Sequence, residues 1–201
     1  MISPALKEAY ELLYHKTPLG FYNCGRLCDG LCCRGDGKGM WLYPGEEELF
    51  TDREGFALCE AEGNHGQPMV ICSGECDRRE RPLACRIFPL FPLVTEEDGR
   101  VNIEVILDPR AGMCPLSRGV KPIDPSFVRA VRRAAMYLVR DEKIKEYMKA
   151  VSLELLEIIL SSCVRDSADC IRSCVLSEKI IRFAAYCGVA LHSLLVQTAR
   201  Q

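Results

Sequence analysis

Cys24-Gly-Arg-Leu-Cys28-Asp-Gly-Leu-Cys32-Cys33 places four cysteines within ten residues, and the reading of the chain works outward from it. Thiolates are soft, charged donors, and a short glycine-containing loop can turn several of them toward one zinc ion or iron-sulfur cluster while ordering little chain. Five more cysteines follow before residue 115, at 59, 72, 76, 85 and 114. A second concentration lies in Cys72-Ser-Gly-Glu-Cys76 and the downstream string Arg81-Pro82-Leu-Ala-Cys85-Arg86-Ile-Phe88-Pro89, and Cys114-Pro115 closes the set. Ligands scattered from residue 24 to residue 114 describe a metal site assembled by the fold.

The totals agree. A chain of 201 residues is long enough to bury a core without staples, so its thirteen cysteines ask for a chemical reason. Met1-Ile-Ser-Pro-Ala-Leu-Lys-Glu has no basic stretch leading into a long apolar run, so a cytoplasmic, reducing location is expected and disulfides are disfavoured. With 26 basic against 28 acidic residues, no overall field steers the chain to nucleic acid or an anionic membrane. The long apolar stretches, Leu153 to Cys163 and Ile180 to Leu195, are broken by Glu157 and by Arg182 and His192, so they read as buried helices rather than membrane spans.

An α+β class is expected: a small cysteine-rich module of short strands and loops, residues 1–121, packed against a C-terminal helical layer, residues 122–201, in one compact unit. Ser3 and Pro4 open a helix over 4–14 with Leu6, Tyr10 and Leu13 on one side. The glycine-rich segment 20–39 reads as a wrapped loop whose shape metal imposes, since Gly25 and Gly30 oppose regular helix. Pro44 to Phe50 reads as a helical turn or two with Glu46, Glu47 and Glu48 at its positive end. Strands are expected from Phe56 and from Pro68 to Ile71, pairing as a ribbon that delivers Cys72, and another over Val101 to Leu107 after the Glu96-Glu-Asp-Gly turn. Asp124 and Pro125 open a helix with Arg129, Arg132, Arg133 and Arg140 on its polar face, and further helices are expected over 144–163 and 168–196.

Eight thiols, Cys24, Cys28, Cys32, Cys33, Cys72, Cys76, Cys85 and Cys114, are the candidate metal ligands. Four suffice for a zinc ion or one [4Fe-4S] cluster, and eight for two sites. Neighbouring residues seldom both reach one tetrahedral ion, so one of Cys32 and Cys33 is a spare, a bridge or a member of another site. The all-sulfur set and the arginines at 78, 79, 81 and 86 favour [4Fe-4S] slightly over zinc, the arginines compensating thiolate charge or holding an anionic partner. Cys59 reads as a packed thiol, and Cys163, Cys170, Cys174 and Cys187 as helix thiols. His15, His65 and His192 are too scattered for a histidine site, and Trp41 and Tyr43 read as apolar cover for the metal. Gly35, Gly37 and Gly39 with Lys38 lack the strand and hydroxyl residue of a phosphate loop, and neither a catalytic triad nor a dinucleotide fingerprint is present.

Cys24-x3-Cys28-x3-Cys32-Cys33, Cys72-x3-Cys76, Arg81-Pro82-x2-Cys85-Arg86-x-Phe88-Pro89 and Cys114-Pro115 together resemble the YkgJ-like cysteine-cluster family of zinc- or iron-chelating domains, over residues 20–116. That family includes relatives of flagellin lysine N-methylase. The resemblance implies that Cys24, Cys28, Cys32, Cys33, Cys76 and Cys85 carry the cluster function, completed by Cys72 and Cys114. A structural or carrier role, with another protein as partner, is the first expectation. A metal-dependent redox or protein-modifying enzyme is the alternative.

Overall fold

The computed structural model describes residues 2–20, 22–33, 39–60, 64–74 and 76–165, with side chains up to residue 161. Its class is α+β. The chain divides into two compact units, Met1–Val151 and Ser152–Gln201.

In the first unit, helix α1 (Pro4–Leu13) starts where Ser3 Oγ accepts from Ala5 N, and it buries Leu6, Ala9 and Leu13. It packs on α4 (Pro125–Leu138), whose Asp124 cap accepts from Ser126 N at 2.6 Å and whose buried face is Phe127, Ala130, Val131, Ala134, Ala135 and Leu138. The expected arginines at 129, 132, 133 and 140 are all exposed, as an amphipathic helix requires. Helix α5 (Glu142–Arg165) begins in this unit, where Lys149 pairs with Glu96 at 2.9 Å, and Ser3 Oγ donates to Asp141 just before it. Of the second unit, the described part is the end of α5, in which Ser152, Leu155, Leu156 and Leu160 are buried. The helix expected over 168–196, with Cys170, Cys174 and Cys187, lies outside the described residues, as does the Cys163 side chain.

Two small sheets bring the cysteine segments together. Strands β1 (Met40–Trp41), β3 (Met69–Cys72) and β2 (Phe56–Cys59) form an antiparallel sheet in that spatial order, with Cys72 opposite Phe56 and Cys59 opposite Met69. Leu42, Phe50 and Val70 make the small core beside it, and Leu49 and Phe56 pack against them. Strands β4 (Leu90–Glu97) and β5 (Arg100–Leu107) form a hairpin from Leu90 opposite Leu107 to Glu97 opposite Arg100. Its two turn residues, Asp98 and Gly99, have φ of 49° and 73°, the left-handed pair that matches strand twist.

Two local expectations are corrected. The segment from Cys24 is not a loop throughout: one helical turn, α2 (Gly25–Cys28), forms, and the left-handed Asp29 and Gly30 then reverse the chain. Glu46 does not serve a helix dipole; Glu47–Leu49 is a 3-10 turn, and the Glu46 side chain is wholly buried. Pro92 lies within strand β4, because each strand of a two-stranded sheet has a free edge that tolerates a residue without an N–H.

Candidate metal centre

The first group of thiols is fixed by α2 and by the loop before α4. Cys24 precedes α2 and Cys28 ends it, four residues apart and so on one side of the turn. Asn23 Oδ1 accepts from Gly25 N at 3.0 Å, and Gly30 N donates back to Gly25 O at 2.8 Å, which holds the turn closed. Cys114 arrives from the far end of the sequence in a loop of its own: Cys114 N donates to Ala111 O at 2.8 Å, and Ser117 Oγ donates to Cys114 O at 2.7 Å. A chamber of about 20 Å³ is lined by Cys24, Cys28, Cys32 and Cys114, with Leu27, Phe88 and Leu116 among its apolar walls.

The second group comes from β3, the loop after it and a short helix. Cys72 ends β3, Cys76 follows Gly74, and Cys85 lies on α3 (Leu83–Ile87). Cys33 joins them because the loop at Gly74 runs against it: a Cβ on Gly74 would lie 3.5 Å from the Cys33 carbonyl oxygen, and the φ of 96° there suits glycine. Cys85 feels the charges of Cys33, Cys76 and Cys72, and Cys76 those of Cys72 and Cys33. Cys24 in turn feels Cys114 and Cys28. The two groups meet where Cys32 Sγ lies 3.9 Å from Cys33 Sγ. All eight candidate thiols are free, and each falls in one group or the other. Among the described residues, no three His, Cys, Asp or Glu side chains are drawn close enough to be ligands already converged on one ion.

Electrostatics divide the thiols by environment. Burial raises Cys24, Cys76 and Cys85, although Arg78 and Arg81 work against it at Cys24 and Arg81 does so at the other two. The shared hydrogen bond raises Cys32 and lowers Cys33 to about 6, where Arg81 also favours the thiolate. The contact between the two sulfurs thus favours the thiol at Cys32 and the thiolate at Cys33.

The arginines have distinct duties that their clustering in sequence concealed. Arg86 is buried, donates from Nε to Arg81 O at 2.9 Å and to the carbonyls of Tyr10 and Arg79, and lies 4.3 Å over the Tyr10 ring. Arg78 Nε donates to Lys16 O at 3.1 Å while its charge reaches Cys24, and Arg79 pairs with Asp77. Arg81 is the arginine that hydrogen-bonds a thiol, that of Cys76, and its buried Nε has no partner. It also lines an open basin of about 570 Å³ together with Cys24, Cys32, Cys33 and Cys76.

The helix that bears Cys85 rests on a carboxylate that the sequence presented only as a helix-end acid. Glu46 Oε2 accepts from Tyr43 N at 2.8 Å, and Oε1 accepts from Leu83 N at 2.6 Å and from the Tyr10 hydroxyl. It therefore joins α1 to the first residue of α3, two positions before Cys85. Trp41 and Tyr43, read from the sequence as apolar cover for the metal, meet an apolar space of their own. They line a separate cavity of about 180 Å³ with Ile87, Phe91 and Tyr147, and Phe88 is shared between that cavity and the thiol chamber.

Comparison with protein-family models, with characterised proteins and with solved structures finds no match to this chain. No helix among the described residues is long and apolar enough to cross a membrane.

Proposed function

We propose that this chain is a metal-binding protein that holds a thiolate-ligated centre, a [4Fe-4S] cluster or zinc, in a structural or carrier role. The observation that carries the reading is the gathering of eight cysteines from segments as distant as α2, β3, α3 and the Cys114 loop into two adjoining all-sulfur neighbourhoods. A donor set of this softness selects zinc or iron-sulfur over magnesium or calcium, and four thiolates on either centre leave a net negative charge. Arg81, with an unpartnered buried N–H beside Cys76, is placed to offset it. Metal binding would draw the thiols inward, as it does in domains whose ligands are gathered but not converged beforehand.

Two observations pull on the identity of the metal. The all-sulfur donors and the arginine favour the cluster, whereas a chamber of about 20 Å³ is the size of a single ion or water. Protein purified without air, with iron, zinc and acid-labile sulfide measured alongside the visible spectrum, separates them. A brown protein with matched iron and sulfide supports the cluster, and a colourless protein with stoichiometric zinc supports the ion. Folded protein with every thiol free and no metal refutes both.

The second reading, a metal-dependent redox or protein-modifying enzyme, is favoured by the basin that opens onto Cys32 and Cys33, since a reacting centre needs access. The likeness to relatives of flagellin lysine N-methylase points in the same direction. Methyl transfer from labelled S-adenosylmethionine to whole-cell protein, under reducing and metal-replete conditions, tests it; absence of labelling rejects the methylase form.

A further inference from the structure

We infer that the eight cysteines form two separate four-thiolate metal centres, parted between the neighbouring residues Cys32 and Cys33. The inference rests on the metal-binding reading and goes beyond it in number, ligand set and site chemistry.

One set is Cys24, Cys28, Cys32 and Cys114, which share the walls of one small chamber. The other is Cys33, Cys72, Cys76 and Cys85, delivered by the end of β3, the loop through Gly74 and α3. The first set draws on two separate pieces of chain, residues 24–32 and the Cys114 loop, and the second on three, so the fold and not sequence proximity alone completes each. The division falls at the point where the two neighbourhoods touch. Cys33 N donates to Gly30 O at 2.7 Å, which bends the chain after the Asp29 and Gly30 reversal and leaves the Cys32 and Cys33 sulfurs 3.9 Å apart, one at the edge of each set. The surroundings differ too. Leu27, Phe88 and Leu116 make the first set apolar, with Arg78 as the cation near Cys24. The second set has Arg81 hydrogen-bonded within it, and the open basin reaches both sets, through Cys24 and Cys32 on one side and Cys33 and Cys76 on the other. A single centre would leave four thiols, including the half-buried Cys85, without a chemical reason. Two centres use all eight, and the adjacent pair becomes the shortest covalent path between them.

Metal content of air-free protein and of two variants tests the count. Wild type is expected to hold about two zinc ions, or roughly eight iron with equal sulfide. Cys28→Ser and Cys76→Ser are each expected to retain about half, because each leaves the opposite set complete. As a substitution can unfold the chain, metal-free wild type is also titrated with Co²⁺ under reducing conditions. Thiolate-to-cobalt absorption should rise to a break near two equivalents. A break at one equivalent, or loss of the same single centre in both variants, overturns the partition while leaving the metal-binding reading in place. No thiolate absorption and no metal in wild type overturns the reading beneath it.

Discussion

Removing the Glu46 carboxylate tests whether a buried acid supports the cysteine scaffold. Glu46 is fully buried and accepts three hydrogen bonds, from Tyr10 Oη, Tyr43 N and Leu83 N. Glu46→Ala strands all three donors in a site closed to water, at about 1–3 kcal/mol for each buried unsatisfied group, and part of the loss is recovered where water enters the cavity. A net cost of roughly 3–6 kcal/mol is expected, a large share of the 5–15 kcal/mol typical of whole domains. Glu46→Gln has a smaller effect. Its one carbonyl oxygen can still serve Tyr10 and Leu83, but its amide N–H faces the Tyr43 N–H, so about one bond is lost and the cost is about 1–3 kcal/mol. Urea unfolding of the metal-free, reduced proteins, followed by circular dichroism, measures both. The order wild type, Gln, Ala is required. An alanine variant within about 0.5 kcal/mol of wild type, or a glutamine variant as unstable as alanine, refutes the account of Glu46 as a three-way acceptor.

Gly39→Ala should destabilise by about 1–3 kcal/mol, since the new Cβ would stand 2.4 Å from Met69 Cγ and 2.7 Å from the Val70 carbonyl; adding Met69→Ala should restore only part, because the backbone contact remains, and full restoration in a melting experiment would contradict this. In metal-free protein, iodoacetamide followed by peptide mapping should modify Cys33 first and Cys85 among the last. The Cys33 rate should fall as pH drops through about 6, because the reactive thiolate is then protonated, and a Cys33 rate that declines only near pH 8–9 would show no lowering.

Legibility in the sequence followed how local each determinant was. Ser3-Pro4 and Asp124-Pro125 announce α1 and α4 because the cap and the first-turn proline act within three residues of themselves. Strand β5 was legible from the run Val101 to Leu107, but β4 was not, since Pro92 counts against a strand unless the sheet is known to have only two. Helix α2 was missed because Gly25 is a poor helix former, and the turn is held instead by Asn23 and the Gly30 N–H. The thiols themselves were plain from their spacing. Their allotment to two groups was not, because it depends on Cys114 and Cys85 being returned by the hairpin and α3. Glu46 was misread for a similar reason: all three of its partners lie outside the turn to which its neighbours Glu47 and Glu48 belong.

The arginines carry the remaining argument, because their sequence positions suggest one basic cluster and their partners describe two kinds of work. Arg86 and Arg78 spend their N–H groups on the carbonyls of Tyr10, Lys16, Arg79 and Arg81, so they fasten α1 to the segment that bears Cys76 and Cys85. A guanidinium suits this because its donors fan out in one plane and stay charged at any working pH, which a lysine at Arg86 could not reproduce. Among the described arginines, Arg81 both touches a thiol and lines the open basin. Arg81 therefore acts on the thiols rather than on the scaffold, in a basin that both thiol sets reach through Cys24, Cys32, Cys33 and Cys76.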